Sequence, residues 1–136
     1  MQTQTVYQTN SHEGLLRNTL RGNAIFSVIS GLVFAFAAGP AANFMGLPSP
    51  IILIAIGLGL LPFAYMVHRI ATGSPLNAAG AKTIIALDAI WVVGSYLVLL
   101  LAWASLTVGG RWFVALQAEA VFLFALFQMI GVRRVR

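Results

Sequence analysis

The sequence predicts an all-α fold: an integral membrane four-helix bundle with up-down topology. Three observations carry this. Of the 136 residues, 60% are hydrophobic and 8% are charged, against about 25% charged in an ordinary soluble domain. Four apolar runs of near-spanning length follow one another, separated by glycine, proline and polar residues. The lysines and arginines gather at the ends of those runs rather than along them. A soluble protein of this length has too little core volume to hide so much apolar surface, and a bilayer accepts it directly. One membrane domain accounts for the whole chain.

Residues 1–12 are rich in Gln, Thr and Asn and read as a mobile polar tail. Ser11 is placed to cap a helix starting near Glu13, and Leu15, Leu16 and Leu20 alternate with Arg17 and Arg21 as an interfacial first turn. The first helix, about 14–38, ends at Gly39-Pro40. Residues 41–47 form a short apolar stretch between prolines, suited to the outer interface. The second helix, about 50–71, carries Pro62 inside it, which removes a backbone donor and predicts a kink, helped by Gly57 and Gly59. A Gly-Ser-Pro-containing loop leads to the third helix, about 82–106, and the fourth covers about 111–132. Each approaches the roughly 20 residues needed to cross about 30 Å of hydrocarbon. Arg17, Arg21 and the Ala35-Phe36-Ala37 stretch also fit a cleavable signal peptide. The long polar leader, and a counterpart of this helix later in the chain, favour a retained span.

Orientation follows from positive charge near the membrane. Arg17, Arg21, Arg69, Lys82, Arg133, Arg134 and Arg136 lie on one side, and only Arg111 lies on the other. An even number of crossings then places both termini in the cytoplasm, with a bacterial inner membrane as the expected home. The formal net charge of +5 reflects this asymmetry. No basic stripe interleaves with aromatics, so no nucleic-acid partner is expected.

A shift of 65 residues aligns Asn23-Ala-Ile-Phe-Ser-Val-Ile-Ser-Gly-Leu-Val33 with Asp88-Ala-Ile-Trp-Val-Val-Gly-Ser-Tyr-Leu-Val98, with identity at six of the eleven positions. The same shift places Arg17 on Lys82 and His68-Arg69 on Arg133-Arg134. This suggests two tandem helical hairpins related by a pseudo-two-fold axis along the membrane normal. Chance similarity between leucine-rich helices is the competing reading.

Polar residues within the spans are the ligand or polar-core candidates: Asp88, Glu119, Asn23, Ser27, Ser30, Tyr65, Ser95 and Gln128. An ionisable group inside a membrane is expensive and is a functional candidate by default. At 1.5 Å per residue, Asp88, Ser27 and Gln128 all lie about 7–9 Å inside the boundary marked by the basic residues. Asp88 is then placed to accept from Gln128, Tyr65 or Ser27. Glu119 and Ser95 fall in a second layer about 20 Å from the same boundary, with Ser30 slightly deeper. A carboxylate dyad is disfavoured by that separation. Asp88, Trp91, Ser95 and Leu99 share one helix face, as do Asn23, Phe26, Ser30 and Phe34, and both stripes suit the middle of a bundle. On the fourth helix Gln117 and Gln128 share a face from which Glu119 points away. The alternative to a site is polar glue, and the Ser27, Gly31, Ala35 line marks close packing.

With 0 cysteines, thiolate metal sites and cysteine nucleophiles are excluded. His12 and His68 have no ligand spacing, so no metal, catalytic residue or cofactor is predicted; the ligand class open to such a bundle is a lipid or other lipophilic molecule.

The segment Ala86-Leu-Asp-Ala-Ile-Trp-Val-Val-Gly-Ser95 and the ending Gln128-Met-Ile-Gly-Val-Arg-Arg134 resemble an uncharacterised group of small bacterial four-helix inner-membrane proteins. In that group Asn or Asp precedes a Trp-Val-x-Gly-Ser stretch and the chain ends on Gln-x-x-Gly-x-Arg-Arg. The resemblance implies the topology and a bacterial inner-membrane home, and no activity. Three functions compete. The first is a lipophilic-ligand-binding protein or an accessory subunit of a larger membrane complex. The second is a small homo-oligomeric transporter or channel using Asp88 or Glu119. A membrane enzyme ranks last, since no nucleophile, metal or acid–base pair is recognisable.

Overall fold

The structure, a computed structural model, describes residues 2–135, with side chains for residues 12–134. Five helices follow in order: α1 (Gln2–Phe36), α2 (Ala38–Met45), α3 (Ile51–Thr72), α4 (Ala78–Leu101) and α5 (Val108–Val135). Four are long and apolar enough to cross a membrane: His12–Phe36 within α1, Ile51–Thr72, Ala78–Leu101 and Val108–Arg134. The protein is a four-helix membrane bundle with a short fifth helix at one end.

Helix boundaries follow local chemistry, and several depart from the sequence expectation. The first helix is continuous from Gln2, where a mobile tail is expected, because no proline interrupts it. It stops at Phe36 because Pro40 has no N–H to give the Phe36 carbonyl, while Ala37 N still bonds Val33 O at 2.7 Å. Pro40 instead sits in the first turn of α2, where a missing N–H costs nothing. That helix ends on Gly46, whose φ of 81° is left-handed, with Leu47 N returning to Ala42 O at 2.9 Å. The stretch expected merely to lie in the interface is thus a helix, burying Ala38, Ala42 and Met45.

α4 begins four residues before the expected start at Lys82, because Asn77 Oδ1 caps Gly80 N at 2.9 Å. It ends at Leu101 rather than near 106, since residues 102–106 turn to bury Leu106. Thr107 Oγ1 then caps Gly110 N at 2.9 Å and starts α5 early. Arg111 closes this end, donating to Trp103 O at 2.8 Å and stacking over the Trp103 ring. α3 runs unbroken through Pro62.

Around the bundle the order is α3, α1, α5, α4, with only slight contact between α3 and α4. At the end bearing the basic residues, Leu16, Leu20, Val67, Ala71, Ile84 and Val132 form one apolar cluster. At the α2 end, Phe34, Met45, Leu53, Leu106 and Val114 form a second. Ile25, Leu58, Ile90, Leu100 and Leu116 are exposed, as expected of faces that meet lipid. Buried polar side chains occupy the zone between the two clusters.

Candidate functional site

Asp88 is 3% exposed, on the inward face of α4 one turn beyond Ile84. Its Oδ2 accepts from Asn23 Nδ2 of α1 at 2.7 Å and from Gln128 Nε2 of α5 at 3.2 Å. Ser27 Oγ, one turn along α1, donates to Asn23 Oδ1 at 3.3 Å. One carboxyl therefore joins three helices, and the Asn23–Asp88 bond crosses the bundle diagonally. Gln128 is 0% exposed, and its Oε1 takes no hydrogen bond among the described residues.

Farther from the basic end, Trp91 Nε1 donates to Gln117 Oε1 at 2.6 Å, and Gln117 Nε2 donates to Ser95 Oγ at 2.9 Å. Ser95 Oγ in turn donates to Trp91 O at 2.8 Å. These bonds clamp α4 to α5, and the indole N–H finds the partner that an inward tryptophan needs. Gln117→Leu removes the acceptor of Trp91 and is expected to destabilise by about 0.6–1.7 kcal/mol, the range of interhelical bonds in membranes. Thermal unfolding in detergent checks this against wild type.

The candidate residues thus separate into groups. Asn23, Ser27, Asp88 and Gln128 come together, and Ser95 belongs to the Trp91–Gln117 clamp. Ser30 is half-buried and joins neither network among the described hydrogen bonds. Tyr65 is 62% exposed and accepts from Arg69 Nη1 at 3.2 Å. It is therefore no donor to Asp88: the buried stripe of α3 runs through Gly57, Ala64 and Val67, which turns Tyr65 onto the flank. Glu119 is exposed on the outer face of α5, where it accepts a hydrogen bond from Tyr96 of α4. Its stretch of helix buries Ala118 and Val121 instead.

Two things escape the sequence reading. Asn23 is a direct donor to Asp88, although the 65-residue shift already pairs the two. Arg17 does more than mark the boundary: it donates to Ala71 O at 2.8 Å, to Gly73 O at 2.7 Å and to Glu13. It thereby caps the last carbonyls of α3; the i,i+4 spacing of Glu13 and Arg17 is the only sequence sign of it.

Recesses open on the outside of the bundle among the described residues. One of about 400 Å³ lies between α1 and α3, walled by Ile25, Val28, Ile29, Leu61 and Ala64, with Tyr65 and His68 toward the basic end. Another, about 270 Å³, lies between α4 and α5 and is lined by Lys82, Ile85, Met129, Val132 and Arg133. Among the described residues no three His, Asp or Glu side chains converge to hold a metal. Compared with protein families, curated proteins and solved structures, the chain matches none.

Proposed function

We propose that the protein is a non-catalytic binding protein of a bacterial inner membrane, holding a lipophilic molecule in the groove between α1 and α3. The observation that carries this reading is the groove itself. Its walls are aliphatic, it opens sideways to the bilayer, and polar groups stand only at its basic end, at Tyr65 and His68. An open apolar groove of this kind can cover one side of an acyl chain or a small lipophile, with the bilayer covering the other. The inward polar side chains support this reading, because buried Asp88 and part-buried Gln117 and Trp91 are engaged in bonds between helices. The gathering of the basic residues at one end of the bundle supports cytoplasmic termini. The bond between Asn23 and Asp88, 65 positions apart, favours duplication: equivalent side chains meet where a pseudo-two-fold axis would pass.

Native mass spectrometry of protein released from mild detergent tests this reading. A retained lipophile is expected, and Val28→Trp, which fills the groove from a half-exposed position, should lower its occupancy severalfold. A wild-type protein stripped to its bare mass would sink the proposal.

A second reading is self-association through the α4–α5 face. It is favoured by Glu119, whose carboxylate lies on that outer face with Tyr96 bonded to one oxygen. A charge in that position costs roughly 2.5–3.5 kcal/mol in lipid, and a second copy would cover it. Sedimentation in detergent should then show a wild-type dimer and a Glu119→Leu monomer. A concentration-independent wild-type monomer excludes this reading.

A further inference from the structure

We infer that the recess between α4 and α5 is a binding site for the headgroup of an anionic phospholipid, held between Lys82 and Arg133. Lys82 comes from the second turn of α4 and Arg133 from the last turn of α5, so opposite walls each supply a cation to one opening. Both side chains are exposed. The chain has 3 acidic residues, and each is engaged elsewhere. Glu13 pairs with Arg17, Asp88 is buried beneath Asn23 and Gln128, and Glu119 lies with Tyr96 farther along the helices. No acidic side chain therefore neutralises Lys82 and Arg133. Between them Ile85, Met129 and Val132 give the recess an apolar floor. A cationic rim above an apolar floor at a helix end matches a phosphodiester with its glycerol and first methylenes below it.

Free phosphate satisfies the rim alone and leaves the floor uncovered, so the lipid is the better occupant. The groove between α1 and α3 uses Ala64 and His68, and the recess between α4 and α5 uses Met129 and Arg133, each 65 positions on. The α3 and α5 walls thus correspond at these two positions, whereas the α1 wall at Ala24 to Ile29 has no counterpart at Lys82 and Ile85 of α4; the second recess carries the stronger charge. This site does not depend on what occupies the α1/α3 groove.

The test is native mass spectrometry of the full chain in nonionic detergent, with equal phosphatidylglycerol and phosphatidylcholine of identical acyl chains. At about fivefold per cation, Lys82 and Arg133 together favour the anionic lipid by roughly twenty-fivefold. K82Q and R133Q should each reduce the preference about fivefold, and the double variant should abolish their joint share. The charge-keeping K82R/R133K and the opposite-end R111Q should retain it. Circular dichroism establishes that each variant is folded; if the double variant unfolds, the two single variants decide. Equal binding of both lipids by wild type overturns the inference. So does a preference that survives K82Q/R133Q in a folded protein, or an equal loss in R111Q. Full competition by millimolar inorganic phosphate would assign the site to free anions instead and overturn it too.

Discussion

Asp88→Leu is expected to destabilise the bundle by roughly 1–3 kcal/mol, while Asp88→Asn stays within about 0.5 kcal/mol of wild type or exceeds it. The difference lies in the hydrogen bonds each residue can complete. Leucine leaves Asn23 Nδ2 and Gln128 Nε2 as buried donors facing hydrocarbon, and both now depend on Asp88 Oδ2. A buried donor stripped of its acceptor incurs its full desolvation penalty, moderated in a membrane because the separated helices also find partners. An asparagine keeps one oxygen to accept both bonds. Gln128 Oε1 is the one buried side-chain polar atom without a partner among the described residues, and the amide of asparagine adds a donor to this network. Reversible unfolding in detergent, followed by helical circular dichroism, separates the two variants. If Asp88→Asn were as damaging as Asp88→Leu, the carboxyl would have a role beyond joining helices.

Gly57→Leu should strongly disrupt the contact between α1 and α3. A Cβ at Gly57 would sit 2.7 Å from Gly31 O and 2.8 Å from Ala35 N, both backbone atoms that no rotamer change can move. Forced overpacking of this kind costs about 1–3 kcal/mol, and here it must push α1 away from α3. Gly59→Ala supplies the control: its Cβ meets nothing within 4 Å, so the greater helix propensity of alanine should show as a neutral or slightly positive change. The same unfolding measurement compares them. Equal effects at the two glycines would mean that α1 and α3 do not approach closely at this level.

The close approach was legible from the Ser27, Gly31, Ala35 line, since small residues spaced by four on a membrane helix let backbones meet. What that line lacked was its partner, because nothing local distinguishes Gly57 from Gly59; only the facing helix does. The inward stripes of α1 and α4 were likewise readable from periodicity, and with them the burial of Asn23, Asp88 and Ser95. Tyr65 shows where depth alone fails. It lies at the right level for Asp88, but 3.6-residue geometry sets it beside Ala64, outside the packed stripe. Helix starts depart from the apolar runs where a side chain caps them. Asn77 and Thr107 start α4 and α5 earlier than hydropathy suggests, because a cap depends on one hydrogen bond and not on an apolar run. Arg17 hides for the same reason, its partners being carbonyls more than fifty positions away.

The arrangement divides labour between inside and outside. Within the bundle, polar side chains are spent on one another, as in Trp91 with Gln117 and Asp88 with Asn23 and Gln128. On the outside, the two recesses place apolar walls beside groups that can meet a headgroup, His68 at one and Lys82 with Arg133 at the other. On the reading proposed here, such a bundle holds molecules from the bilayer against its flanks.

The most direct test of that view is photo-crosslinking in bilayers with a lipid carrying a diazirine on its acyl chain, with attachment sites mapped by peptide mass spectrometry. Labelling concentrated at Ile25, Val28, Ile29 and Leu61, and reduced by Val28→Trp, is the expected result. Labelling spread evenly over Ile90, Leu97, Leu100 and Leu116, with no enrichment between α1 and α3, would contradict it.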